Sequence, residues 1–328
     1  MSSILRDPNG RLRRPLRLLW NETERRSRVP VRLPVGFALI FLFAGIGSGF
    51  SPEPLMGRRP VADAINTLVS VAPQAVGIGG GVVLASLLLD RRAVTDLGLD
   101  LTRGWWRGLA GGSVLGIGIA ASGVAVGVLG GHVEISGLQM TGGVAVWPVL
   151  VIAAAGFQLL YLVPEELFVR GYVITNIVEG FEGVPSVPRS AAAGVGVVVA
   201  SLVFYVTHSG RGTVFGLMSA GFAVLLGIGY VLTGDLSVPV GIHFGINMSW
   251  VIVGVNPQSA SLVELTAAGT VAESLILPVE VVIASLVAAT VAVGVMVWWD
   301  RSTTGRVQIE PSIAYPTFRG QRDTPPSE

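Results

Sequence analysis

The stretch Pro164-Glu165-Glu166-Leu167-Phe168-Val169-Arg170-Gly171-Tyr172 sets two carboxylates and a guanidinium inside an apolar run, Trp147 to Val178, otherwise suited to hydrocarbon. On lenient insertion scales a charged group at bilayer depth costs about 2.5–3.5 kcal/mol, so such groups persist mainly where they are paired or line a watery cavity. Three of them within six residues require a reason. On a helix, Glu166 and Arg170 are four residues apart and face each other, while Glu165 points about a quarter-turn away. One carboxylate is therefore neutralised locally and the other is left without a nearby cation.

Around this stretch lies a chain of 328 residues, 51% hydrophobic and 13% charged, with a mean hydropathy of +0.68. Repeated apolar runs reach the length of a bilayer-crossing helix. The spans expected are Leu33 to Phe50, Thr67 to Leu89, Gly108 to Gly131, Trp147 to Val178, Ala191 to His208, Thr213 to Leu232, Val238 to Val255 and Pro278 to Trp299. The expected fold is therefore all-α, a polytopic transmembrane bundle of about eight spans. Its parts are a cytoplasmic Arg-rich interfacial segment (1–32), N-terminal spans (33–131), a transmembrane core that carries the charged stretch (147–256), a last span (278–299) and a disordered cytoplasmic tail (301–328). The first run follows too late, and lacks the small-residue boundary, for a cleaved signal peptide.

Charge placement orients the bundle. All 22 basic residues are Arg. With both termini in the cytoplasm, 18 of them fall inside, and only Arg58, Arg59 and Arg211 fall outside, in line with the positive-inside rule. The expected location is the cell membrane, and the expected partners are the lipid bilayer and a membrane-associated protein or peptide, with no nucleic acid. Trp105, Trp106, Trp147, Trp298 and Trp299 fall at span ends, as in an aromatic belt. Glycines crowd the third span, where small residues let helices approach closely. Without cysteine the chain has neither disulfides nor thiolate chemistry. Without lysine it has no Walker-type phosphate loop.

Two of the three histidines lie at or within apolar spans. Phe204 and His208 share a helix face, as do His243 and Asn247. Glu165, His208, His243 and Asn247 could converge on one water. Glu165 would take its proton, an imidazole would orient it, and Asn247 with the other imidazole would stabilise an oxyanion. This toolkit suits peptide hydrolysis. The zinc-binding His-Glu-x-x-His helix is absent, as are Gly-x-Gly-Asp and Gly-x-Ser-Gly motifs. Glu165, His208 and His243 together match the ligand types of some catalytic zinc sites, so a divalent metal is chemically admissible. Asn247, a poor zinc ligand and a good amide donor, favours a metal-free reading.

Glu165-Glu166-x-x-x-Arg170, then Phe204-x-x-x-His208, then His243-x-x-x-Asn247, in this order on successive apolar helices, resembles the CAAX protease and bacteriocin-processing (CPBP) family of intramembrane proteases. That family includes the type II CAAX prenyl endopeptidases. The resemblance covers about residues 147 to 256. It implies a glutamate-dependent endopeptidase in which Glu165 matches the catalytic glutamate and Glu166 and Arg170 the supporting pair. His208, His243 and Asn247 match the remaining catalytic positions. Two other functions produce similar polar groups at depth: an ion- or proton-coupled transporter, and a non-catalytic membrane scaffold or immunity protein. No internal repeat of the transporter kind is present. Linear counting also raises a conflict. Glu165 lies in the cytoplasmic half of a span counted from Trp147, whereas His208 ends a span entered from the cytoplasm.

Overall fold

The computed structural model describes residues 19–22, 24–50, 52, 60–138, 140–181, 184, 186–254, 260–268, 278–305 and 307–314. They form a helical bundle. In chain order it comprises β1 (Trp20–Asn21), β2 (Arg26–Ser27), α1 (Val29–Gly49), α2 (Pro60–Ala85), α3 (Arg103–Leu129), β3 (Val133–Leu138), α4 (Trp147–Glu166) and α5 (Thr175–Phe181). Then follow α6 (Arg189–His208), α7 (Thr213–Thr233), α8 (Ser237–Ile252), β4 (Val263–Ala267), α9 (Val279–Thr304) and α10 (Pro311–Ala314). Seven helical segments among the described residues are long and apolar enough to cross a membrane. The remaining expected span, Val238 to Val255, is α8, a shorter apolar helix of 16 residues. The strands are accessory: β1 pairs with β2, and β3 pairs with β4 in an antiparallel ribbon carrying one irregularity near Gly137.

α3 and α8 approach most closely, and glycine is the reason. A Cβ on Gly112 would meet the Val238 carbonyl at 2.5 Å, and one on Gly116 the Ile242 carbonyl at 2.2 Å. Reciprocally, a Cβ on Gly241 would collide with the Leu109 carbonyl and one on Gly245 with the Ser113 carbonyl. Two four-residue glycine spacings thus face each other, the arrangement that brings helix backbones together in lipid. The close packing expected of the third span is seated here, and it fixes the position of the helix that carries His243 and Asn247.

The fourth span is one rod of 35 residues, Trp147–Phe181. Directly after Glu166 it widens into a π-helical stretch, Leu167–Ile174, all eight residues of which are buried. It then returns to α-helix in α5. Phe168 packs edge-on against Phe37 and Phe41 of α1, with ring centroids 5.3 and 5.9 Å apart. Tyr172, Val173 and Ile174 form the centre of the main apolar core with Val197, Ala200 and Phe204 of α6. α6 runs back antiparallel along the π-helical half of the rod, and this removes the depth conflict. Counted from the connection between Phe181 and Arg189, Glu165 and His208 are sixteen and nineteen residues away, so they reach one level.

Several expectations for the termini change. Arg26, Arg32 and Arg92, counted by sequence as inside-facing charges, are buried in one ionic network. Glu179 pairs with all three, and Arg32 Nε also lies 3.2 Å from Asp90 Oδ1 and donates to Asn176 Oδ1 at 2.7 Å. Asn176 Nδ2 in turn donates to Asp90 Oδ2 at 2.9 Å. Three otherwise costly buried guanidiniums are thereby paired. Burial nevertheless pulls the Arg26 guanidinium below its ordinary pKa. The interfacial helix expected within residues 1–32 lies largely outside the described residues, and from Trp20 onward the chain forms the β1–β2 ribbon. Trp105 is buried rather than interfacial, while Trp106 and Trp298 are exposed. Within the segment 301–328, expected as a disordered tail, α9 continues to Thr304, Glu310 N–H donates to the Val231 carbonyl at 3.0 Å, and Ile313 and Ala314 are buried. Residues 315–328 lie outside the described residues, as do Arg58 and Arg59.

Candidate active site

Five of the six residues singled out by sequence, Glu165, Glu166, Arg170, His208 and His243, meet where α4 gives way to the π-helical stretch, opposite the end of α6 and the middle of α8. Arg170 Nη1 lies 3.0 Å from Glu166 Oε1, and both side chains are fully buried. The spacing of four residues holds this pair together even though the backbone there is π-helical. Arg170 also stands over the Phe204 ring, its Cζ 4.6 Å from the centroid. A buried guanidinium thus rests between a carboxylate and an aromatic face, each of which offsets part of its lost hydration.

The histidines divide between the two glutamates. His243 Nδ1 lies 2.8 Å from Glu166 Oε1, the same oxygen that binds Arg170. His208 Nε2 lies 3.7 Å from Glu165 Oε1, beyond direct hydrogen-bond reach and within ion-pair range. His208 Nδ1 is 2.9 Å from the Phe204 carbonyl, so as a donor there it leaves Nε2 free to accept. Its ring stacks on Phe204 at 4.1 Å. Glu165, His208 and His243 keep side-chain exposures of 11%, 20% and 13%, whereas Glu166 and Arg170 have none. The groups with residual access are those that a water or substrate could meet.

Among the described residues Asn247 makes no hydrogen bond to the other five. Its Nδ2 donates to Gln158 Oε1 of α4 at 3.1 Å. Gln158, which sequence reading did not single out, is buried and lies one helical face above Glu165. Its seven-residue spacing from Glu165, two turns, was a usable signal. Arg211 was counted only as an outside charge, yet it sits on the α6–α7 turn within electrostatic reach of Glu165, His208 and Tyr161.

The donor set does not fit a metal. Among the described residues no three His, Asp or Glu side chains gather closely enough to hold an ion. The proposed trio of Glu165, His208 and His243 is divided, because His243 turns Nδ1 to Glu166 while His208 faces Glu165.

Set beside known proteins, residues 146–249 match the family model described as type II CAAX prenyl endopeptidase Rce1-like, consistent with the CPBP resemblance. The matched segment begins beside Trp147 and includes all six site residues. No curated protein and no solved structure matches the chain.

Proposed function

We propose, from the Rce1-like segment at residues 146–249, that the protein is an intramembrane endopeptidase acting on a membrane-associated protein or peptide, and that it hydrolyses by glutamate and histidine activation of water. The observation that supports this reading best is the division of labour between the adjacent glutamates: Glu166 is consumed by Arg170 and His243, and Glu165 is left beside His208 with residual access.

In the proposed reaction, a water held between Glu165 and His208 Nε2 attacks the scissile carbonyl as Glu165 takes its proton. His243, donating through Nδ1 to Glu166, offers a second donor at Nε2 in its doubly protonated form, and Asn247, fixed by Gln158, presents its second amide hydrogen. Both point to an oxyanion role for the α8 pair. The proton held by Glu165 then passes to the leaving amine. A carboxylate that orients an imidazole through its other nitrogen is a common way of setting tautomer and aim. Arg170 is a positioning residue, since it reaches the reacting atoms only through Glu166. The bundle lies in the cell membrane with both termini cytoplasmic, as the Arg distribution supports.

The test is cleavage by purified protein in lipid. Membrane proteins whose length changes when the gene is lost supply candidate substrates, and Glu165→Gln protein is the control. Cleavage by wild type that Glu165→Gln abolishes while remaining folded supports the reading. Undiminished cleavage by Glu165→Gln would overturn it.

A further inference from the structure

α3 ends at a defined level. From Leu109 to Leu129 it carries no charged residue, and that length, about 30 Å at 1.5 Å per residue, matches the hydrocarbon core of a bilayer. Gly131, at φ +70°, then turns the chain. His132 Nδ1 stands 3.9 Å from Glu280 Oε2 at the start of α9, and both side chains are exposed. Polar groups of two helices thus mark one boundary, and β3 begins there at Val133.

β3 and β4 form an amphipathic ribbon, and the irregularity near Gly137 keeps it so. Ile135 pairs with Leu265 and Leu138 with Val263, whereas Glu134 pairs with Thr266 and Gly137 with Glu264. Side chains directly opposite in an antiparallel pair share a face. By plain alternation Ile135 and Leu138, three residues apart, would lie on opposite faces. Ser136 is the extra residue that brings them to one face, and its hydroxyl donates to the Glu264 carbonyl at 3.1 Å. One face therefore carries Val133, Ile135, Leu138, Val263 and Leu265, and the other carries Glu134, Glu264 and Thr266. Val133 is buried against α3, where a Cβ on Gly127 would meet its Cγ2 at 3.2 Å. Ile135 and Leu138 continue that face outward and are 57% and 80% exposed.

We propose that the apolar face of the β3–β4 ribbon is a membrane seat, resting on the lipid interface of the leaflet at which α3 ends. Its inner end, at Val133, is turned onto the helix ends, so the part that overhangs them meets lipid while Glu134 and Glu264 meet water. The exposed apolar residues Val126 and Leu129 close α3 at the same boundary. Backbone chemistry limits the depth. Among the described residues each strand pairs on one side only, and open sheet edges do not occur within the hydrocarbon region. The strands therefore lie at headgroup level, and only the Ile135 and Leu138 side chains reach the acyl boundary. The chain on either side of the ribbon ties α4 to α8. Thr141 N–H donates to the Ser261 carbonyl at 3.2 Å, Trp147 Nε1 to the Ala260 carbonyl at 3.1 Å and Leu262 N–H to the Ile252 carbonyl at 2.8 Å. The seat thus holds at the membrane surface one end of each helix that carries Glu165 or His243, and it stands whether or not the hydrolytic reading does.

The chain has no cysteine, so single introduced cysteines report without background. The experiment uses the full chain in nanodiscs of zwitterionic lipid, one chain to a disc, with a nitroxide at Ile135→Cys, Leu138→Cys, Glu134→Cys or Thr266→Cys. Accessibility is measured to oxygen, which concentrates in lipid, and to a neutral nickel chelate, which stays in water. The ratio of oxygen to nickel accessibility is expected to be several-fold higher at positions 135 and 138 than at 134 and 266. Deleting Ser136 removes the bulge and is expected to move the label of Leu138→Cys from the lipid side to the water side. Equal ratios at all four positions, or free nickel access at 135 and 138, overturn the proposal. So does shelter of those two positions from both reagents, which would mean that the face folds against protein. Shelter that appears only when two chains share a disc would make the face a contact between copies, and overturns the lipid seat as well.

Discussion

His243 Nδ1 lies 2.8 Å from Oε1 of Glu166, so the histidine of α8 is tied to the glutamate that already holds Arg170 and not to its neighbour Glu165. Two adjacent carboxylates with the same chemistry therefore have different partners. Replacing Glu166 by Gln leaves Arg170 a buried charge without its partner and frees His243. A loss of about 3–5 kcal/mol is expected, the usual cost of breaking a buried pair. Glu165→Gln is expected to cost little stability and to remove turnover. Thermal melts in detergent, run beside cleavage assays, check both outcomes, and a lower melting temperature for Glu165→Gln than for Glu166→Gln would reverse the roles.

Gln158 offers a second test. Its amide oxygen accepts from Asn247 in a buried setting, so Gln158→Ala leaves the asparagine amide with one fewer partner. A destabilisation of about 1–3 kcal/mol is expected from the unsatisfied group. If Asn247 serves the oxyanion, kcat should fall while KM changes little, as for loss of an interaction made mainly in the transition state. An unaltered kcat in a folded variant would remove Asn247 and Gln158 from the machinery.

The contact between α3 and α8 is expected to be intolerant of side chains. Gly245→Val places three added carbons against the Ser113 carbonyl and must push α8 away from α3. Both stability and turnover should fall together, because His243 and Asn247 ride on the displaced helix. Gly294, with open space at its Cβ position, is the matched control, and Gly294→Ala should leave both quantities near wild type.

For topology, Gly137 lies in the ribbon that follows α3, while α10 packs beside the opposite end of the bundle, near the start of α8. Reporter fusions at Gly137 and after the C-terminus are expected to mark opposite compartments, with the C-terminal one cytoplasmic. Reporters on the same side would exclude the proposed arrangement.

The helical class was legible because apolar runs of bilayer length leave little alternative, and the six site residues because their spacing of four puts each pair on one helix face. Partnership was not legible. Nothing local in the chain says that His243 meets Glu166 rather than Glu165, since that depends on how far α8 slides along α4. The depth of Glu165 was misjudged for a related reason: distance was counted from Trp147, whereas the antiparallel return of α6 sets the common level. Arg26, Arg32 and Arg92 looked like solvated topology markers because their partners Asp90 and Glu179 are remote in sequence from at least one member of the cluster. Trp105 was placed in the belt with Trp106, yet adjacent helical residues point in different directions, and only one of them can face lipid.

The π-helical stretch Leu167–Ile174 acts as an angular coupling. Each π turn takes up one residue more than an α turn, so these eight residues set the azimuth between two polar faces of a single rod. Above the stretch, Glu165 and Glu166 look towards α6 and α8. Below it, Asn176 and Glu179 look towards α1 and the end of α2. Wound as plain α-helix with no residue lost, the same eight positions would turn further and leave the two faces out of phase. A substitution that rewinds the stretch at constant length is expected to unseat either the glutamates or the arginine network, with lower melting temperature and lost turnover arising together. The reacting carboxylate and the anchoring of the chain's N-terminal part are in that sense clocked to one another by a single backbone irregularity.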